Sequence, residues 1–478
     1  MSETATLLLD VGGQSVLGLV MDERAHTLYE TRRKLATTES RDRVEQDPDE
    51  LADAVQALVD EAVAGAASPA ITGAALAVQR GSVVCWDRET GAALSPVLSW
   101  RDQRSLPRLE GLREQAETIR RRTGLRFSPY AGAPKIAWCL SELPKVRKAA
   151  EKGRLACGPL GSFLLARLLE NQPARVDHTL AQRSLLWSRA DLDWDPWLLE
   201  RFGLPTDILP QVVPSRSTHG RLRGKASATV LKLLIGDQNC LPFIDGQPDP
   251  DTLYINLGTG AFLLRPAAEP VDDPRFQCTL LDEANGGQWA LEGSVHGCAS
   301  ALNWLKQQHG VALPHERWRT LRQDVLTPPL FLNRIDGLGS PWWQPGPEPS
   351  FVGVDEPETH RPEALLLAVL ESIAFLIRAN VDAMTSTVGH HQRVVLCGGL
   401  SQSDTLCSLI SDLLGSDLHR LRAIEGTAFG LWCRLEGRAL PPAHFKTIRC
   451  GNDRLLTERY RRWLQLIDQV PAVITRGR

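Results

Sequence analysis

The run Leu231-Lys-Leu-Leu-Ile-Gly236-Asp237-Gln238-Asn239 carries a carboxylate at the end of an apolar segment into a glycine-flanked turn beside two side-chain amides. Phosphoryl transfer to a hydroxyl asks for such a set: a carboxylate to accept the hydroxyl's proton, and neighbours to orient the nucleophile. Asp237 fits the first role, Gln238 and Asn239 the second. By itself a Gly–Asp turn is more often structural. Asp10 ends Thr6-Leu-Leu-Leu-Asp10 just before Gly12-Gly13, where a carboxylate can hold Mg2+ beside a phosphate, usually through water. An Asx-type turn cap is the competing reading.

The glycines matter for the same chemistry. Three apolar runs end in glycine-rich turns: Thr6–Gly13, Leu253–Gly260 and Arg393–Gly399. Glycines let backbone N–H groups approach an anion closely and form a nest for phosphate. The first two turns lead into further apolar runs, Val16–Met21 and Ala261–Leu264, which reads as β-hairpins. The third leads into Ser401–Leu414, which reads as an amphipathic helix. Between 79 and 130 lie Gln79, Arg80, Trp100, Asp102, Arg104 and Tyr130. The rings suit the carbon skeleton of a polyol, and the arginines supply forked donors for its hydroxyls. Trp86 and Trp138 are expected in the core.

Elements must hold these groups in place. The first half, to about residue 242, alternates strands (7–20, 71–78, 82–87) with helices (49–66, 135–140, 161–169). The second opens at Pro248-Asp-Pro-Asp, a break that reads as a domain joint, and includes a long helix over 362–387. The segment 327–349, with six prolines and Trp342-Trp343, reads as a packed surface loop. Two strand–glycine–strand units and one strand–glycine–helix unit suggest two similar halves closing on one nucleotide.

Bulk properties narrow the classes. At 478 residues the chain exceeds one core, so two domains are expected. Net charge is −3 with both signs dispersed, and no basic block points to nucleic acid or an anionic membrane. The acidic start MSETATLLLDVGG does not resemble a signal peptide, and no membrane span is expected. The ten cysteines show no CxxC pair and no zinc spacing, as expected of buried thiols in a cytoplasmic protein.

Taken in order, these residues resemble the FGGY carbohydrate kinases, the group containing glycerol kinase and xylulokinase. The resemblance covers nearly the whole chain. It runs through Gln79-Arg80-Gly81 to Gly91, Trp100-x-Asp102-x-Arg104, Thr123 to Tyr130 with Lys135, and Asp177-His-Thr179 with Arg183. It continues through Gly236-Asp237-Gln238, Gly258-Thr259-Gly260, Leu291-Glu292-Gly293, Gly398-Gly399 and Glu425-x-Thr427-Ala428-x-Gly430. The resemblance implies an α/β fold of two actin/hexokinase-like (ribonuclease H-like) domains, placed at 1–243 and 244–478, with a cleft between them. It implies ATP and Mg2+ and transfer of the γ-phosphoryl to a hydroxyl of a small sugar or polyol. Asp237 becomes the general base, and Asp10 and Asp237 the metal-facing carboxylates. The implied substrate contacts are Gln79, Arg80, Gly81, Trp100, Asp102, Tyr130 and Gln238. The implied nucleotide contacts are Gly12, Gly13, Gln14 and Ser15 in the first loop and Gly258, Thr259 and Gly260 in the second. Beyond the loops they are Ala299, Asn303, Gly398, Gly399 and Ser403. Related kinases are often dimers or tetramers, so a homodimer is among the expected assemblies.

Departures qualify the match. The family's first loop, Asp-x-Gly-Thr-Thr/Ser-x-x-Arg/Lys, here reads Asp10-Val-Gly12-Gly13-Gln14-Ser15-Val16-Leu17, without its hydroxyl pair and its cation. Losing one hydrogen bond to a charged group costs about 1.5–3 kcal/mol, so weakened phosphate handling is expected rather than none. The Asp-Gly-Gly-x-x-x-Asn motif becomes Cys397-Gly398-Gly399-Leu-Ser-Gln-Ser403. Gly81 replaces the Glu with which glycerol kinases hold a hydroxyl, which favours a ketose or longer polyol over glycerol. The altered loop also makes a non-catalytic, regulatory member the main alternative. An actin- or chaperone-type ATPase is opposed by the sugar-side residues 79–100.

Overall fold

Alternation along Thr4–Val11 (β1) sends Leu7 and Leu9 into one apolar cluster and Leu8 into another, so the strand is covered on both faces. β1 forms an antiparallel hairpin with Ser15–Asp22 (β2), which pairs antiparallel with Thr27–Lys34 (β3). The helix Pro48–Gly65 (α1) starts where Asp47 accepts hydrogen bonds from the backbone N–H groups of Asp49 and Glu50, with Pro48 in its first turn. Its Leu51, Val55, Leu58 and Val59 cover the Leu7/Leu9 face. Ala70–Val78 (β4) then runs parallel to β1, and after Arg216–Arg221 (β5) the strand Val230–Gly236 (β6) runs parallel to β4. The sheet order is β5-β6-β4-β1-β2-β3.

The second sheet repeats this plan. Thr252–Leu257 (β7), Ala261–Ala267 (β8), Gln277–Asp282 (β9) and Gln288–Val295 (β10) form antiparallel pairs. The helices Ala299–His309 (α2) and Pro362–Val388 (α3) lead to Arg393–Cys397 (β11), parallel to β7. The helix Asp404–Leu414 (α4) then leads to Leu418–Leu421 (β12), parallel to β11. The helix Gly426–Glu436 (α5) and the edge strand Phe445–Ile448 (β13) close the order β9-β10-β8-β7-β11-β12-β13. In each half an antiparallel meander runs into two parallel strands and ends on an antiparallel edge. Two such sheets in one α/β chain are the architecture expected from the sequence.

The computed structural model describes residues 4–66, 70–325, 327–346, 348–354 and 360–468. Met1–Glu3 and Pro347, used in the sequence reading, lie outside them. α5 crosses to the first sheet: Phe429 and Trp432 pack with Leu8, Leu17 and Leu233. The second face of the N-terminal sheet is thus closed by a helix of the C-terminal half. The 243/244 division falls inside the turn Leu241–Ile244, whose Leu241, Phe243 and Ile244 belong to the same shared cluster.

α3 has the length and hydropathy of a membrane span, with 27 residues and a mean hydropathy of 1.9 over its most apolar window, but 89% of that window is buried inside the protein. One expectation is corrected: in the proline-rich segment, read from sequence as a surface loop, Leu330–Leu332 forms a short strand with Ser350–Val352. Leu330, Phe331 and Leu332 are buried in the C-terminal core, because an apolar triplet between prolines still gains by burial. The ten cysteines are free thiols, nine of them buried.

Candidate active site

β1, β4 and β6 are parallel, so their carboxyl ends share one edge of the sheet, and Val11, Val78 and Gly236 lie in one row there. Asp237 follows Gly236 directly. Gly236 is pinned: its N–H donates to Thr179 Oγ1 at 2.8 Å, and that hydroxyl donates to Asp177 Oδ2 at 2.5 Å. Burial pushes the Asp177 carboxyl up to about 7, against the hydrogen bonds from Thr179 and Ser215. The Asp237 carboxylate accepts from Gln238 N at 2.8 Å and Gln238 Nε2 at 3.2 Å, and Arg80 Nε stands 3.7 Å away. Burial raises its pKa, with Arg80 pulling the other way. Its side chain remains 20% exposed to the cleft.

Asp10 lies at the same edge. Burial raises its carboxyl to about 8, and the charges of Asp237 and Glu425 add to the rise. Two desolvated, mutually repelling carboxylates beside a glycine-rich turn suit a divalent cation. Among the described residues no group of three or more His, Cys, Asp or Glu is placed to hold a metal. A cation here would therefore complete its shell with water and phosphate oxygens.

Arg80 reaches across to the second sheet. Its Nη1 and Nη2 donate to Glu292 Oε2 and Oε1 at 2.7 and 2.9 Å. Arg183 Nη2 donates to the same Glu292 Oε2 at 2.5 Å and to Thr279 Oγ1 at 2.7 Å. Glu292 is 1% exposed. Burial alone would raise its pKa, but the two guanidiniums overcome that and hold the carboxyl at about 2. Arg80 is therefore oriented by a carboxylate of β10 while its Nε edge faces Asp237.

The wall that carries Trp100 and Tyr130 is built from three loop segments. Trp100 and Tyr130 stand edge-to-face with ring centroids 6.3 Å apart, and both are exposed. Behind them the buried ammonium of Lys135 donates to the carbonyls of Gly81, Tyr130 and Trp100 at 3.0, 3.1 and 3.3 Å, tying the three segments together. Burial pulls this lysine down to about 7. Gln79 is 3% exposed; its Nε2 donates to Gln46 Oε1 at 3.1 Å, and Gln46 Nε2 donates to the carbonyl of Gly13 at 3.1 Å. Gln79 Oε1 has no partner and would lie 3.3 Å from a Cβ on Gly13.

Three expectations change here. Asp102 does not contact the cleft: it is fully buried, chelates Arg104 Nε and Nη2, and accepts from Val44 N at 2.8 Å. Its carboxylate is a structural anchor of the wall. Asn239 does not orient a nucleophile either, because it is buried between Arg80 Nη1 and the carbonyl of Leu280. Gly81 is more than a deleted carboxylate. Its φ is +78°, and a Cβ there would lie 2.8 Å from the Tyr130 carbonyl. A left-handed conformation costs a side-chain-bearing residue about 1–2 kcal/mol before that clash is counted. Gly81→Glu is therefore expected to displace the Tyr130 loop and to lower kcat/KM for every sugar and polyol tried, glycerol included. Steady-state kinetics against wild type check this.

The glycine-rich turns expected from the sequence are present. In the first, Gly12 N donates to Ser15 O at 3.0 Å, with Gln14 exposed. In the second, Gly258 N donates to Gly260 O at 2.8 Å. Thr259 is exposed, and its carbonyl accepts from Ser300 N at 3.2 Å, docking the hairpin on the start of α2. Ala299 begins that helix, and Asn303 is exposed on its next turn. Gly398 has φ +92°, and a Cβ there would lie 2.4 Å from the Leu257 carbonyl, whereas Gly399 faces open space. Ser403 caps α4, its Oγ accepting from Leu406 N at 3.2 Å. Sequence reasoning missed Asn256, which stands two residues before Gly258 as Asp10 stands before Gly12. Its Nδ2 donates to Gln238 Oε1 at 3.0 Å, linking the neighbour of Asp237 to the second sheet. That parallel, Asp-x-Gly against Asn-x-Gly, was present in the sequence.

Comparison with known proteins completes the picture. Residues 5–241 match the N-terminal domain, and residues 253–433 the C-terminal domain, of the FGGY family of carbohydrate kinases. A glycerol kinase from Trichlorobacter lovleyi is 32% identical over 447 residues, covering 89% of this chain and 88% of the relative. One from Citrifermentans bemidjiense is 31% identical, covering 81% and 80%. Among solved structures, Plasmodium falciparum glycerol kinase with ADP superposes with a TM-score of 0.86 at 21% identity, over 99% of both chains. A ligand-bound xylulose kinase from Lactobacillus acidophilus gives 0.83 at 18%, over 97% of both. The chain belongs to the FGGY family of carbohydrate kinases, phosphotransferases that act on an alcohol group.

Proposed function

We propose that this kinase transfers the γ-phosphoryl of ATP to a hydroxyl of a small ketose or polyol longer than glycerol, with Asp237 as general base. The observation that carries the reading is the placement of Asp237: a cleft-facing carboxylate on a pinned turn, between the Arg80 guanidinium and the Asp10 edge of the sheet. The substrate hydroxyl gives its proton to Asp237 as its oxygen bonds the γ-phosphorus. The bond from that phosphorus to the β,γ-bridging oxygen breaks, and ADP leaves with the electron pair. Mg2+ beside Asp10 and Asp237, when bound, neutralises charge on the phosphates. Trp100 and Tyr130 flank the carbon chain, Arg80 and Gln238 orient polar groups near the base, and the buried Gln79 supports the first loop through Gln46. Gly12–Ser15 and Gly258–Gly260 receive the phosphates, and Gly398-Gly399 the adenosine.

Glycerol is the second reading, favoured by the relatives named glycerol kinases. A coupled ADP-release assay over glycerol, erythritol, xylulose, ribulose and sedoheptulose separates the two. The expected result is a higher kcat/KM for a four- to seven-carbon substrate than for glycerol; the reverse ranking would reject the longer substrate.

A further inference from the structure

The first phosphate loop, Gly12–Ser15, has no charged side chain, and Leu17 beyond it is apolar and 2% exposed. A triphosphate arriving there meets the carboxylates of Asp10 and Asp237, and it needs a cation near them. Arg80 and Arg183 are both committed to Glu292. Strand register points elsewhere. Asp10 of β1 pairs with Leu17 of β2, and Leu17 pairs with Arg32 of β3. Cross-strand partners share a face of the sheet, so Asp10, Leu17 and Arg32 form one row. That face is turned to the C-terminal half, since Leu17 packs in the cluster shared with α5. The neighbouring Thr31 points the other way, its hydroxyl bonded to Glu61 of α1.

Arg32 extends along this row to the cleft, where its Nη2 bonds Glu425 at the start of α5. Its side chain remains 43% exposed, and its charge is felt at Asp10, where it opposes the rise in pKa. A guanidinium offers carboxylate and phosphate the same forked donors, so a group already holding a carboxylate at the cleft can hold a phosphate oxygen in its place.

We propose that Arg32 is the cation of the first phosphate loop, engaging the γ-phosphate of the nucleotide from the third strand of the sheet. The assignment rests on the kinase reading above. Its test does not need turnover: titration calorimetry with Mg2+ and either ADP or the non-hydrolysable β,γ-imido analogue of ATP, on wild type, Arg32→Gln, Arg32→Lys and Glu425→Gln. Arg32→Gln should weaken the imido analogue about 10- to 150-fold, the value of a hydrogen bond to a charged group, while ADP changes less than about 3-fold. Arg32→Lys should recover part of the loss, and Glu425→Gln should not reproduce it. Equal weakening of both nucleotides, shared by Glu425→Gln, would make Arg32 only a tie between the two halves and overturn the proposal. Unchanged binding in Arg32→Gln would overturn it as well. Failure of the kinase reading would look different, with wild type binding neither nucleotide.

Discussion

Asp237→Asn is expected to lower kcat by about 10²- to 10⁴-fold, the range a positioned general base supplies, while leaving substrate affinity within a few-fold of wild type. The substitution is nearly isosteric. The amide oxygen can still accept from the N–H of Gln238, and the turn stays pinned by Gly236 on Thr179. What disappears is the proposed proton acceptor and a charge that raises the pKa of Asp10. With the Asp237 charge gone, the Asp10 carboxyl should fall from about 8 toward its ordinary value. Single-turnover rates, together with calorimetric binding of the sugar, separate loss of chemistry from loss of binding. A variant retaining wild-type kcat would remove Asp237 from the mechanism.

Glu292→Gln is expected to be the most destabilising single change at the site. The carboxylate is buried and accepts three hydrogen bonds from Arg80 and Arg183 and one from Thr279. Removing its charge leaves two buried guanidiniums facing each other, and breaking a buried pair in this way costs about 3–5 kcal/mol. Arg80 also loses the partner that holds it against Asp237, so substrate KM should rise as well. The acid dependence has a definite sign. The folded pKa of about 2 lies below the ordinary 4.5, so the contribution is fully present above pH 4.5 and is lost as pH falls toward 2. By linkage it amounts to about 3 kcal/mol. Thermal and urea unfolding of both proteins across that window should show a steeper acid loss in wild type. Parallel curves, or a variant as stable as wild type, would contradict this role.

Much of the fold was readable because its signals are local. The hairpins at Gly12 and Gly258 follow from an apolar run, a glycine turn and a second apolar run, and both appear in register. The helices expected over 49–66 and 161–169 appear as Pro48–Gly65 and Leu160–Leu168, the first marked by its Asp47 cap and Pro48, the second by its apolar run. The site was less readable because its contacts are not local. Glu292 and Arg80 are 212 residues apart in sequence, and nothing near either announces the pair. Asp102 reads as a polar group beside Trp100 until its carboxylate is seen closed on Arg104, only two residues away but on the buried side of the turn. Gly81 reads as a deletion of a carboxylate until its positive φ shows that the backbone itself requires glycine. Arg32 escaped notice because its link to Asp10 runs through two strand pairings, the second with a register shift between Val20 and Met21.

The most direct measurement is the stoichiometry of products. Wild-type protein, Mg2+ and ATP are incubated with the best substrate of the panel, and ADP and phosphorylated sugar are quantified together by phosphorus NMR. The account predicts one phosphate monoester on a substrate hydroxyl for each ADP formed, with neither appearing when substrate is omitted. ADP accumulating together with free phosphate and without a sugar phosphate, or no product from folded protein on any member of the panel, would contradict it.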